Sequence, residues 1–263
     1  MPRTPSLLPL LLLASAACYA PPVRLPLPVP FSPIGGATPV PGNGVGASLE
    51  RAGTIRGPEL ARGEVMGWGL GVGAGDRIGI WLSNPQTQDQ VLETTAHTDV
   101  QQIRAKAVLA RPLGRRAAFA LYVGHAFGNR LVVEEDYVYE PNALPVLVRD
   151  TLQNDAVWSW ELAAPAEVLL SDPAAGARAS IFLGPRVVFM QHDDRVRPDG
   201  TFRLTMAGAL GGLHISVDRY EFFLEATLAY LPRRAYNGAT AGGRVSVMPA
   251  VGLIVRVGPP FGW

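Results

Sequence analysis

The sequence predicts an all-β protein: a closed, antiparallel, up-and-down transmembrane β-barrel of about ten strands, with eight as the lower count. Three observations predict it. First, residues 243–263 alternate with period two. Val245, Val247, Val251, Leu253, Val255 and Val257 share one face, and Arg244 and Arg256 share the other. That is a strand with one apolar side. Second, 48% of the 263 residues are hydrophobic and only 17% are charged, against about 25% charged in a soluble domain. Beyond the first twenty positions no run is long and apolar enough for a spanning helix. A closed sheet is the other way a backbone satisfies itself in lipid. Third, the connections alternate short and long, as membrane barrels do. A net charge of +1 gives no field that favours nucleic acid.

Taken in order, residues 1–17 read as an export signal, with Arg3 as the charged start and Leu7–Ala17 as the apolar part. Cys18, the one cysteine, follows Ser15-Ala16-Ala17, so no intramolecular disulfide forms. Residues 18–43 carry Pro21, Pro22, Pro26, Pro28, Pro30, Pro33, Pro39 and Pro41. Proline excludes helix and removes ladder donors, so this stretch is expected to be an extended periplasmic spacer. The barrel is expected over residues 44–263.

Gly44–Gly53 opens it as a weak strand. In 64–73, Met66, Trp68, Leu70 and Val72 face one way and Gly67, Gly69 and Gly71 the other. A turn at Ala74-Gly75-Asp76 leads to Ile78, Ile80 and Leu82. The polar stretch 84–97 reads as a loop. Ile103, Ala105, Ala107 and Leu109 then lie opposite Gln102, Arg104 and Lys106. After a turn at Pro112-Leu113-Gly114, Phe119, Leu121 and Val123 alternate again. Residues 128–153, with Glu134-Glu135-Asp136, read as the longest loop. Trp158, Trp160, Leu162 and Val168 share the next face, and Ala179, Ile181, Leu183, Val187 and Phe189 the one after. Residues 191–200 read as a loop. The strand from Thr201 begins with Phe202, Leu204 and Met206 on the outer face and is expected to flip at a bulge near Gly211-Gly212. Asp218-Arg219 is a short turn, and Tyr220–Leu231 alternates throughout. Both chain ends fall on the short-turn side.

The terminal strand, ending in Phe261 and Trp263, resembles that of bacterial outer-membrane β-barrel proteins, the superfamily of small OmpA-like barrels. Pro259 and Pro260 depart from that pattern. The resemblance covers residues 44–263 by pattern and implies location in the bacterial outer membrane with both termini periplasmic. It also implies contact with outer-membrane lipids and lipopolysaccharide, and recognition by the barrel-assembly machinery through the strand ending in Trp263. The start of the chain resembles a bacterial lipoprotein signal, which implies acylation at Cys18. Leu13 stands where the family places its leucine two residues later. An ordinary signal cleaved after Ala16 or Ala17 is the alternative.

Nothing in the sequence marks a nucleotide loop or a cysteine–histidine metal cluster, and no cofactor is expected. Two constellations bear on chemistry. His192-Asp193-Asp194 lies in an expected outer loop, where outer-membrane barrel proteases carry a histidine and acids. His214 and Ser216 share a strand face, as in barrel lipid hydrolases. The plainer readings are a solvated loop and a polar lumen pair. Alternation sends Glu161, Glu167, Arg178, Arg186, Arg203, Glu221, Glu225, Arg244 and Arg256 inward, where opposite charges on neighbouring strands would plug a narrow lumen. The favoured function is a non-enzymatic structural or surface barrel. A barrel hydrolase and a soluble periplasmic β-sheet lipoprotein are the alternatives.

Overall fold

The computed structural model describes residues 34–37, 44–53, 63–74, 77–91, 94–113, 116–138, 146–171, 176–194, 201–232, 234–236, 239–241 and 243–257. The expected export signal, Cys18, Phe261 and Trp263 lie outside the described residues. The strands are β1 (Gly44–Gly53), β2 (Gly63–Ala74), β3 (Ile78–Val91), β4 (Thr94–Ala110), β5 (Ala117–Val138), β6 (Val146–Ala163), β7 (Ala166–Leu169), β8 (Ala177–Asp194), β9 (Thr201–Val217), β10 (Tyr220–Leu231), β11 (Arg234–Tyr236), β12 (Ala239–Ala241) and β13 (Arg244–Val257). No described helix is long and apolar enough to cross a membrane.

Ten strands close into one antiparallel barrel. β7 resumes β6 beyond Ala164-Pro165, where proline breaks the ladder and Ala164 donates instead to the Pro185 carbonyl. β11 and β12 form a separate small hairpin. The seam is β1 on β13, from Val45↔Val257 to Ala52↔Ala250. Closure leaves no unpaired edge, which lipid requires.

Alternation sorts the side chains between two environments. On β10, Tyr220, Phe222, Leu224, Leu228 and Tyr230 are exposed outward, and Glu221, Phe223, Glu225, Thr227 and Ala229 are buried inward. The same split holds on β2, where the inward row is Gly67, Gly69 and Gly71. The exposed apolar side chains thus form a belt around the wall, which suits acyl chains and not water.

The structure corrects three expectations. The polar stretches read as loops are largely strand. β3 and β4 pair out to Val91↔Thr94, β5 and β6 out to Val138↔Val146, and β8 runs to Asp194. Glu134, Glu135 and Asp136 therefore sit in a ladder opposite Asp150, Arg149 and Val148. Backbone pairing needs no apolar side chain, so hydrophobic alternation ends before the strands do. Next, β9 has no bulge. Its register with β8 and β10 is continuous through Gly211-Gly212, and the register shifts fall at Val108/Ala110 and Val132/Val133. Consequently Leu204 and Met206 face inward and are buried, and Arg203 is exposed on the outer face.

The third correction concerns the proline-rich stretch. Ile34-Gly35-Gly36-Ala37 lies inside the barrel, with Ala37 fully buried and Ile34 at 5% exposure. Ile34 packs with Tyr122, Ala163, Phe182 and Leu210. Ala37 packs with Val108, Ala118 and Ala120, nearer the short-turn end. The segment therefore descends toward the short-turn mouth, where β1 begins at Gly44. It lies in the longest proline-free run of residues 21–43, Ile34 to Thr38, so its N–H groups can be donated.

Candidate functional site

The site the fold builds is the lumen around Ile34–Ala37. Two chains of polar contacts start on the barrel wall and end on this segment's backbone. In the first, the Tyr122 hydroxyl donates to Glu161 Oε2 at 3.2 Å. Glu161 Oε1 is ion-paired with Arg186 Nε. Arg186 Nη1 donates to Glu225 Oε1 at 2.9 Å and to Thr227 Oγ1 at 2.8 Å. Glu225 Oε2 accepts from the Ile34 and Gly35 amides at 2.9 and 3.1 Å. From the other side, Lys106 Nζ donates to the Ile34 carbonyl at 2.6 Å.

In the second chain, Glu167 Oε2 accepts from the Ala37 amide at 2.9 Å. Glu167 Oε1 takes the Ser180 hydroxyl and faces His214 Nδ1 at 3.1 Å. His214 Nε2 lies 3.2 Å from Glu221 Oε2, and Glu221 Oε1 pairs with Arg256 Nε at 2.7 Å. Arg256 Nη2 reaches Ser216 Oγ at 3.4 Å and the Asp218 carbonyl at 2.7 Å. These carboxylates accept charge-assisted and backbone hydrogen bonds together, which suits burial of charge.

Local sequence makes room for the segment. Phe223 lies over Gly252, its direct cross-strand partner, and Phe182 over Gly212. A Cβ at either glycine would collide with the ring. Each ring is thus laid against the wall, and the flattened rings face Gly35 and Gly36. A cavity of about 30 Å³ remains beside Ile34, walled by Glu50, Trp81, Arg104, Lys106, Tyr122 and Phe223. It has room for about one water.

Of the residues expected inside, Glu161, Glu167, Arg186, Glu221, Glu225 and Arg256 are buried in these two chains. Arg178 is half-buried near the short-turn mouth. Arg203 is the correction noted above; its Nε donates to Gln191 Oε1 at 2.9 Å on the outer surface. The Arg244 side chain lies outside the described residues, as does that of Asp194. His192 and Asp193 occupy one strand and so point to opposite sides. His192 is buried inward with Asp155, its Nδ1 3.7 Å from Asp155 Oδ2. Asp193 holds Gln191 outside. They do not form one site. His214 has carboxylates on both ring nitrogens, and Ser216 meets Arg256 rather than His214. A serine–histidine nucleophile needs that direct contact. Among the described residues, no three His, Cys, Asp or Glu side chains gather as metal ligands.

Sequence reasoning passed over Glu50, Arg104, Lys106 and Tyr122. Arg104 Nη2 reaches Glu50 Oε1 at 2.7 Å, past the glycine-lined face of β2. Alternation on β4 had already placed Arg104 and Lys106 opposite the apolar row. What it lacked was a partner, because that partner is three strands away.

No family model and no curated protein matches the sequence significantly. Solved structures do match. The translocator domain of autotransporter NalP from Neisseria meningitidis superposes with a TM-score of 0.52 at 13% identity, covering 83% of this chain and 90% of that one. The β domain of the Bordetella autotransporter BrkA is also similar, at a TM-score of 0.38 and 9% identity, covering 82% and 100%. The chain has the fold of an outer-membrane β-barrel, with part of its own pre-barrel segment held in the lumen.

Proposed function

We propose that the protein is a non-enzymatic barrel of the bacterial outer membrane, with a structural or surface role and a lumen closed by its own charges and by Ile34–Ala37. One observation carries the reading: both polar chains, one drawn from β5 to β10 and the other from β7 to β13, terminate on that segment, and Lys106 reaches it from the facing strand β4. A ten-stranded barrel is narrower than the 16–18 strands that leave an aqueous channel. Here salt bridges and a strand of backbone share that space. The apolar outer belt supports residence in a bilayer, with the long hairpins outward and the short turns periplasmic. Outer-membrane lipids, lipopolysaccharide and the assembly machinery would be its partners.

Planar-bilayer recording tests the closure. The purified protein should give no steady conductance; a large, stable open level would overturn it. Acylation at Cys18 is part of the proposal but does not hold the barrel in the membrane. One chain gives only marginal binding. The Cys18→Ser variant should lose the lipid and stay in the membrane fraction. Its recovery as a soluble protein would favour a periplasmic lipoprotein instead.

A further inference from the structure

We propose that the barrel thins the bilayer beside β1–β4, because on that flank the apolar belt ends well below its height elsewhere. This rests on the membrane reading above and adds where the lipid must deform.

The length of each outward apolar row sets the local height of the belt. On β10 that row runs from Tyr220 to Tyr230, and on β13 from Val245 to Val255. Each spans about 25 Å along the barrel axis, at ~3.3 Å per residue and a tilt of ~40°. β8 is apolar outward from Ala177 to Phe189, and β9 from Val217 to Ala207. The strands β4-β3-β2-β1 are contiguous in the wall, and their rows are shorter. On β3 only Ile78, Ile80 and Leu82 face outward before Asn84 and Gln86, a span of about 10 Å. On β1, Val45, Ala47 and Leu49 precede an exposed Arg51, again about 10 Å. On β4 the row from Leu109 to Ile103 gives about 15 Å, and exposed Gln101 and Asp99 follow. β2 is apolar from Ala74 to Met66, about 20 Å. Its Met66, however, lies between Arg51 and Gln86 in the register. All these rows start at the short-turn end, so the deficit falls on the long-hairpin side.

An aromatic residue marks the same step. Tryptophan favours the headgroup level, and exposed Trp68 stands directly opposite Asn84. It lies about 15 Å above Ala74, whereas Tyr230 lies about 25 Å above Tyr220. Polar row and aromatic therefore drop together on this flank. Hydrocarbon offers no partner to an amide side chain. An outward arginine is costly at the bilayer midplane and costs little near the interface. Asn84 and Gln86 are too short to reach a headgroup layer standing about 10 Å higher, unlike a snorkelling lysine or arginine. The headgroups must come down to them, and a bilayer meets a short hydrophobic wall in this way at modest cost.

Nitroxide depth measurement tests this on the full chain in dioleoylphosphatidylcholine vesicles. Single cysteines replace Asn84 and Ala226 in the Cys18→Ser background and are spin-labelled. Both positions face outward, and they stand equally far along their strands from Ile78 and Tyr220. Oxygen, which partitions into hydrocarbon, should relax the label at Ala226→Cys. An aqueous nickel chelate should relax the label at Asn84→Cys. Oxygen preference at both sites would overturn the thinning and leave the membrane reading intact. Nickel preference at both would refute the membrane reading itself. Screening of Asn84→Cys from both reagents would show protein covering the flank, and would also overturn the thinning. Gln86→Cys against Leu228→Cys repeats the comparison if either first variant loses its heat-modifiable band. As a second arm, Asn84→Leu, Gln86→Leu and Gln101→Leu together raise the belt on this flank. The ratio of folding rates in dilauroyl over dioleoyl vesicles should then fall by about tenfold. An unchanged ratio would count against thinning.

Discussion

Arg186 is the residue on which the lumen most depends. Its guanidinium bridges Glu161 on β6 and Glu225 on β10, and Glu225 in turn holds the Ile34 and Gly35 amides. Arginine suits this place because its planar fork donates in two directions at once. Removing one partner of a buried pair leaves the other charge uncompensated. Arg186→Ala should therefore lower stability by about 3–5 kcal/mol, read as a shifted denaturant midpoint in lipid vesicles. Arg203→Ala, whose side chain is exposed beside Gln191, should stay within about 0.5 kcal/mol of the unmodified protein. Equal losses at the two sites would show that the lumen charges are solvated. Gly252→Ala makes a second contrast at this scale. A methyl there meets the Phe223 ring, whereas one at Gly176 meets nothing within 4 Å. The first should cost about 1–3 kcal/mol by overpacking, and Gly176→Ala should cost little.

At the scale of elements, the strands run past the apolar belt into polar hairpins. On β4 the outward row passes from Leu109, Ala105 and Ile103 to Gln101, Asp99 and His97. The ladder with β5 continues unbroken through that change. These extensions stand outside the belt, on the side away from the short turns. A cysteine at Glu135 should be labelled on intact cells and one at Asp76 should not, in the Cys18→Ser background. The reverse pattern would invert the barrel. Sequence reading located the belt segments well, because lipid and lumen impose opposite demands on neighbouring side chains. It lost the strands where the inward row turns polar, as at Arg130 and His192, and hydrophobic alternation no longer tells the two faces apart.

At the scale of the whole molecule, the outer belt and the lumen are separate stabilising systems. On β10 the outward row runs from Tyr220 to Tyr230 with Leu224 between them, an arrangement with aromatic residues toward both interfaces. Leu224→Arg should destabilise the barrel by about 2–4 kcal/mol in lipid, the range for a midplane arginine, and Leu113→Arg at a short turn by about 0–1 kcal/mol. Reversible unfolding in vesicles would check both. Equal effects would place the belt in water. The lumen answers to different rules: its lower half is salt-bridged, and its upper half sets a methionine-rich apolar patch beside the buried His192–Asp155 pair.

The sequence by itself determined the barrel, its strand order and its belt. Period-two alternation and strand-to-strand connection lengths are local properties, and membrane burial enforces them along each strand. It also determined that Glu161, Glu221, Glu225, Arg186 and Arg256 share the inner face. Only the tertiary structure decided what these groups hold. The partners of Arg104 and Arg186 lie on strands remote in sequence, and the register of β9 is fixed by its neighbours rather than by its own glycines. The position of Ile34–Ala37 was invisible in the sequence for a related reason. Proline spacing sets how a chain can extend, and the donors and acceptors of a closed wall decide where it goes.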